Sequence, residues 1–371
     1  MARQAVQTGS MMRQAEIAAG FLALLAGLLA SCVNAQSKPE PPSSKNQIRV
    51  VTNEITVPVT VTDKSGEFVL DLEQKDFQVY DDGVPQAIDH WELGGDPLAV
   101  ALVIETSTRL HAYIPTIHHL GPIFTQTVMA LDGEAAVITY GSNVYIDQPF
   151  TTDHDAVAKA IADTKFDVPE MSLYDGMAKA VQLLSEQPAR WRRVMLIIGE
   201  SEDDASTAKL QNVLRNAERA DISIYVVGPS STSADVRRLS DVPIQLKLPH
   251  LPPITGDEPC VQRLPGGSEV PCISFARPAL WLLERGTNEM KHHELVVAAA
   301  ATGGIDYRAM RDSALQDALD RIGGELHAQY VLTYRPNAPR AVGFHAIEVV
   351  VSRPKLSVRA RPAYYLGPEQ N

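Results

Sequence analysis

Leu98-Ala99-Val100-Ala101-Leu102-Val103-Ile104 runs directly into Glu105-Thr106-Ser107-Thr108-Arg109. An unbroken apolar run of this length has the composition of a strand buried on both faces of a parallel sheet. The acids and hydroxyls begin where the run stops. The pattern recurs at Val194 to Ile198, which leads into Gly199-Glu200-Ser201-Glu202-Asp203-Asp204. A third polar segment, Met171-Ser172-Leu173-Tyr174-Asp175, opens an amphipathic helix. Loops at the carboxyl ends of strands in an open parallel sheet converge on one crevice. Three polar loops far apart in sequence are therefore expected to meet.

Around these segments, strands and helices alternate. Strands are expected at Ala135 to Tyr140, Val144 to Phe150 (an edge strand) and Ile222 to Val227. Helices are expected over His111 to Ala130, His154 to Ala162 with Asp153 as its cap, Leu173 to Leu184 with Ser172 as its cap, and Ala205 to Ala220. After a Pro- and Gly-rich insertion at about 242–288, helices resume at Glu294 to Ala301 and Ser313 to Leu326, with a short strand at Ile305 to Tyr307 between them. This order implies an α/β fold, a doubly wound and mostly parallel sheet covered on both faces.

The flanks read differently. Ile55-Thr-Val-Pro-Val-Thr-Val-Thr alternates with period two and stops at Asp63-Lys64-Ser65-Gly66. Phe68 to Leu70 and Phe77 to Tyr80 follow as strands, with a tight turn at Asp81-Asp82-Gly83. Tyr330 to Tyr334, His345 to Ser352 and Leu356 to Arg361 alternate in the same way near the other end. Neither group has enough strands to stand alone. Residues 47–95 and 329–366 are therefore expected to form one discontinuous antiparallel, sandwich-like β domain. The α/β domain, 96–328, would be inserted into it.

The three loops resemble the metal-ion-dependent adhesion site of the von Willebrand factor type A domain. That family carries Asp-x-Ser-x-Ser on its first loop, a Thr on its second and an Asp on its third. The matching positions here are Glu105, Ser107 and Arg109, then Ser172, then Glu200. Further stretches are similar to the von Willebrand-A-related proteins abundant in Acidobacteria. They are Val79 to Gln86, Ala301-Thr302-Gly303-Gly304, Gln329 to Tyr334 and Val358 to Tyr364. The likeness spans about residues 46 to 366.

The resemblance implies a divalent cation held by Ser107 and Ser172, with Glu105 and Glu200 supplying charge and a partner's carboxylate completing the shell. Three of the substitutions oppose it. Glu105 and Glu200 each add a methylene, about 1.5 Å of extra reach. Mg²⁺ demands near-octahedral oxygens at about 2.0–2.1 Å, so Ca²⁺ or Mn²⁺ would suit the looser shell better. Arg109 places a guanidinium where the family has a hydroxyl, and a guanidinium cannot ligate a cation. It is expected to pair with Glu105 or Glu200 and replace the metal's charge, or to face solvent and hold an acidic partner. In the same loop, Asp204 is expected to cap the helix beginning near Ala205. Asp175 is expected to complement its own helix dipole.

The amino terminus has the makeup of a targeting segment, residues 1–35, followed by a Pro- and Ser-rich linker over 36–46. Two cleavage readings stand side by side. Leu29-Ala30-Ser31-Cys32 resembles a lipobox that would leave Cys32 lipidated, and Val33-Asn34-Ala35 resembles an ordinary signal-peptidase site. In either case the chain would be exported to the periplasm or cell envelope. Cys260 and Cys272 would then be free to form a short-range disulfide. The net charge of −12 and the lack of a basic cluster argue against nucleic acid.

Enzyme signatures fail on inspection. His293-Glu294-Leu295-Val296-Val297 lacks the second His of a zinc-protease helix. Gly199-Glu200-Ser201 resembles a nucleophile elbow but has Asp203 where Gly is needed, which leaves a Ser hydrolase a remote alternative. His118 and His119, adjacent on one helix, point to different faces and are expected to face solvent. The expected function is a non-catalytic, exported adhesion or scaffold protein that binds a protein or peptide. The alternative is a metal-independent structural module of the envelope.

Overall fold

The computed structural model describes residues 54–95, 97–166, 169–200, 202–229, 261–263, 269–271, 294–309, 312–337 and 341–366. The expectations for the signal segment, the linker, Cys32, Cys260, Cys272 and most of the 242–288 insertion lie outside these residues, as do Ser201 and His293.

The strands are β1 Ile55–Thr62, β2 Phe77–Asp81, β3 Val84–Gln86, β4 Ile88–Leu93, β5 Leu98–Glu105, β6 Glu134–Tyr140, β7 Val144–Thr151, β8 Arg192–Ile198 and β9 Ile222–Pro229. They continue as β10 Val261–Arg263, β11 Glu269–Pro271, β12 Asp306–Ala309, β13 Tyr330–Tyr334, β14 Gly343–Val351, β15 Ser357–Ala360 and β16 Ala363–Leu366. The helices are α1 Ile114–His118, α2 Leu120–Ile123, α3 His154–Ala162, α4 Leu173–Ser185, α5 Leu210–Arg219, α6 Glu294–Ala301 and α7 Asp312–Ala328.

Six strands form the central sheet in the order β12-β9-β8-β5-β6-β7. All neighbours are parallel except β6 and β7, an antiparallel edge pair. Every residue of β5 is buried. Its side chains alternate between two cores, as the pleat requires. Leu98, Val100, Leu102 and Ile104 meet Ile117, Phe124, Val157 and Leu319, while Ala99, Ala101 and Val103 meet Leu173, Met177, Leu214 and Ala298. Each large aliphatic side chain buried this way contributes roughly 1.5–3 kcal/mol.

The flanking strands form two antiparallel sheets, ordered β15-β1-β13-β4 and β16-β14-β2-β3. Their shared core holds Val57, Val59, Val61, Tyr330 and Leu332 from the first, and Phe77, Val79, Ile347 and Tyr364 from the second. Within the first sheet Ile55 pairs with Tyr334, Val59 with Ala360, and Tyr330 with Leu93. Strands from the two ends of the chain thus interleave. The hairpin between β2 and β3 turns on Asp82 and Gly83, both at positive φ (50° and 78°), as a two-residue turn with the twist of the strands requires.

Three local expectations need correction. The helix expected over His111 to Ala130 is broken into a 3₁₀ turn at Thr108–Tyr113, then α1, α2 and a π-helical stretch at Phe124–Met129. Pro122 cannot donate a backbone hydrogen bond, and the break at His119 places it in the first turn of α2, where no donor is needed. Phe68 to Leu70 is not a strand. Only Phe68 bridges, to Thr62, because Asp63 gathers Ser65 and Glu67 into a tight loop. The helix expected from Ala205 begins at Leu210.

Candidate functional site

Glu105 is the last residue of β5 and is fully buried. Three donors converge on its carboxylate. The backbone N–H of Glu200 donates to Oε2 at 2.6 Å, the Tyr140 hydroxyl donates to the same oxygen at 3.4 Å, and the Ser107 hydroxyl donates to Oε1. Burial pushes the Glu105 carboxyl above its ordinary range. The Ser107 hydroxyl and the Glu200 N–H oppose that shift, the Glu200 charge adds to it, and the Arg109 charge opposes it. Tyr140, at the end of the neighbouring strand β6, is raised well above the usual phenol range by burial first and by the Glu105 charge second.

Ser107 is fully buried and caps the 3₁₀ turn, its Oγ accepting from the Arg109 N–H at 3.2 Å. The Arg109 guanidinium leaves this turn towards the third loop. It lies 3.7 Å from Glu200 Oε2 and forms a closer ion pair with Glu202. Glu105, Ser107, Arg109 and Glu200 are therefore one connected set. Ser172 stands at the amino end of α4 with its backbone N–H on Gly141 O at 2.8 Å, next to Tyr140, but its side chain makes no capping bond. It is expected to cap α4 and occupies that position without performing the role.

The third loop supplies the cap instead. Asp203 Oδ1 accepts from the Tyr174 N–H at 3.2 Å, and Ser206 Oγ accepts from the Asp175 N–H at 3.1 Å. Asp204 Oδ1 accepts from the Met171 N–H at 2.7 Å, so it does not cap a following helix as expected. Asp175 does more than complement a dipole. Its carboxylate accepts from the Thr207 N–H at 3.0 Å and the Ala208 N–H at 2.8 Å. Gly199 permits the approach of β8 to this cluster. A Cβ there would lie 2.4 Å from the Tyr140 hydroxyl oxygen and 2.8 Å from Glu105 Oε2.

These groups do not fit a divalent ion as they stand. Both Glu105 oxygens are taken by protein donors, the Ser107 hydroxyl is spent on Glu105, and a guanidinium faces Glu200. The cluster Asp81, Asp82 and His345 is the one group of three acid or imidazole ligands within reach of each other among the described residues. It lies in the flanking sheets, and both ring nitrogens of its His345 already face protein acceptors, Asp82 and Ala341 O, each at 2.8 Å. Sequence reasoning missed two members of the candidate site. Glu202 was signalled by its place two residues after Glu200, and Tyr140 by its place at the end of a strand beside β5. His118, expected in solvent, is half-buried, with Nε2 on Thr164 O at 2.8 Å and its ring against Phe166.

Comparison with known proteins gives a family match at residues 129–244, described as von Willebrand factor type A domain. The first loop, with Glu105, Ser107 and Arg109, lies outside the matched residues. Similar solved structures include the conserved hypothetical protein BatB from Bacteroides thetaiotaomicron (13% identity, 62% of this chain and 98% of that one, TM-score 0.37). An aerotolerance-related membrane protein from Bacteroides fragilis is similar at 13% identity, with 61% and 98% covered and a TM-score of 0.36. Proximal thread matrix protein 1 from the mussel byssus is similar at 8% identity, with 66% and 50% covered and a TM-score of 0.42. No curated protein matches the sequence. The family match and the parallel sheet with its helices on both faces agree, and the chain carries a von Willebrand factor type A domain.

Proposed function

We propose that the protein is a non-catalytic binding protein that presents the carboxyl-end face of its central sheet to a protein or peptide partner, without a metal ion. The observation that carries this reading is the position of Arg109, whose guanidinium sits among the acids of the third loop. A guanidinium there supplies the positive charge that a cation supplies in the adhesion site. The Arg109 and Glu202 side chains are 40% and 44% exposed, so a partner's carboxylate can exchange with Glu202 for the guanidinium fork. Glu105, held by three donors, fixes the first and third loops in register beneath that exchange. Ser107 and Ser172 serve as structure in this reading. Export, and a tether through a lipidated Cys32, follow from the sequence of residues 1–35 and belong to the proposal. No helix among the described residues is long and apolar enough to cross a membrane.

Thermal unfolding in excess chelator and then in Mg²⁺, Mn²⁺ or Ca²⁺ tests it. The wild type is expected to show no change in midpoint at millimolar ion. Arg109→Ser is expected to gain a saturable rise, since an ion at a hundredfold excess over its Kd adds about 2.7 kcal/mol to the native state. A saturable rise in the wild type that vanishes in Ser107→Ala would sink the metal-free reading.

A further inference from the structure

At the pole of the sheet opposite Glu105, the amino-terminal ends of β8 and β9 face β1, β4 and β13 across a cleft of about 540 Å³. That is the size range of small-molecule sites. Trp191, Arg193, Glu218, Asp221 and Arg361 line it.

Arg361 is 5% exposed. Its Nη1 donates to Asp221 Oδ1, while Nε and Nη2 meet no acceptor. Those two N–H groups share one edge of the guanidinium and form the parallel pair that grips both oxygens of a carboxylate. Two more buried donors on the same walls also lack acceptors, Trp191 Nε1 and Arg193 Nε. Arg193 is fixed in place, with Nη1 on Ala220 O at 2.9 Å and Nη2 on Gln187 O at 2.6 Å. Five buried side-chain polar atoms without a partner thus belong to four residues of this one cleft, Trp191, Arg193, Glu218 and Arg361. Buried donors are normally matched, and an indole or guanidinium N–H can be matched only by an acceptor.

The charges select the acceptor. Asp221 already faces Arg361, and Glu54 and Glu92 stand on the walls, which disfavours a dianion. Burial pushes the Glu218 carboxyl up to about 8, so at neutral pH it is mostly an O–H donor and repels a single negative charge little. We propose that this cleft binds a carboxylate, from a small organic acid or from a peptide's carboxyl terminus, gripped by the Nε/Nη2 edge of Arg361 with Trp191 and Arg193 donating to it.

Calorimetric titration of the full chain at constant ionic strength tests the assignment. The probes are a panel of two- to five-carbon mono- and dicarboxylates, a tripeptide with a free carboxyl terminus, its amide, and inorganic phosphate. Saturable binding of a carboxylate probe, absent for phosphate, is expected. Binding by the free tripeptide alone assigns the source as a chain terminus, and binding by the organic acids assigns a free acid. Arg361→Lys keeps the charge and loses the fork, and is expected to weaken binding about tenfold. Trp191→Phe keeps the packing and removes one donor, and is expected to weaken it severalfold, which covers the case in which the Arg361 variant does not fold. No saturable binding of any carboxylate, phosphate binding as tight as the best carboxylate, or unchanged affinity in Trp191→Phe and in a folded Arg361→Lys would each overturn the proposal.

Discussion

Single atoms decide the candidate site. Gly199 leaves room for the Tyr140 hydroxyl and Glu105 Oε2, so Gly199→Ala should cost about 1–3 kcal/mol by overpacking, measured by urea unfolding. A second residue-scale expectation concerns Glu218, whose carboxyl sits near 8 in the folded chain through burial, partly offset by Arg361. In the unfolded chain it returns to the ordinary range near 4.3. The folded state then holds the extra proton between those values, so stability falls as pH rises from about 4.3 to 8 and levels off above. Glu218→Gln should flatten that slope and raise stability at pH 8 by roughly 1–3 kcal/mol relative to pH 5. Equal effects at both pH values would refute it. The acids and hydroxyls of the site were legible because they stand where apolar runs stop. Their partners were not. Whether Arg109 meets Glu105, Glu200 or Glu202 depends on how far two loops approach each other, and spacing along one chain carries no such distance.

Elements were legible where burial alone determines them. The apolar runs Leu98 to Ile104 in β5 and Val194 to Ile198 in β8 and the alternating β1 stand as expected, because strand burial leaves a direct mark on side-chain type. The polar segment before α5 was not, because Asp203, Asp204 and Asp175 have the composition of local caps yet spend their carboxylates and hydroxyl partners across two loops. That exchange makes 202–209 a strap over the start of α4. Asp175→Ala should release the Thr207 and Ala208 backbone donors and cost about 1–3 kcal/mol. Limited proteolysis should then cut within 202–209 faster than in the wild type, and unchanged cleavage would show that the strap holds without Asp175.

Across the whole molecule, polar side chains join the central sheet to the flanking strands. Glu325 pairs with the Arg359 guanidinium and accepts from the Tyr225 hydroxyl at 2.6 Å, and Arg192 donates to Leu326 O at 2.7 Å and Gln329 Oε1 at 3.2 Å. Breaking a buried pair of this kind by removing one partner costs about 3–5 kcal/mol. Variants keeping only Trp91, in β4, or only Trp191, beside β8, should therefore report the same unfolding midpoint. Glu325→Ala should lower both together, and two separated transitions in the parent would contradict the coupling. The interleaving of Ile55 with Tyr334 and of Tyr330 with Leu93 sets a further condition, one of timing. A ribosome or a translocation pore delivers β1 first, and its sheet partners only after the whole parallel sheet has emerged. Until then β1 is an open apolar edge, and long-range pairings of this kind form slowly. Strands β13 and β15 thus act as a latch on β1, and any stall in delivering them leaves an aggregation-prone edge waiting for a holdase.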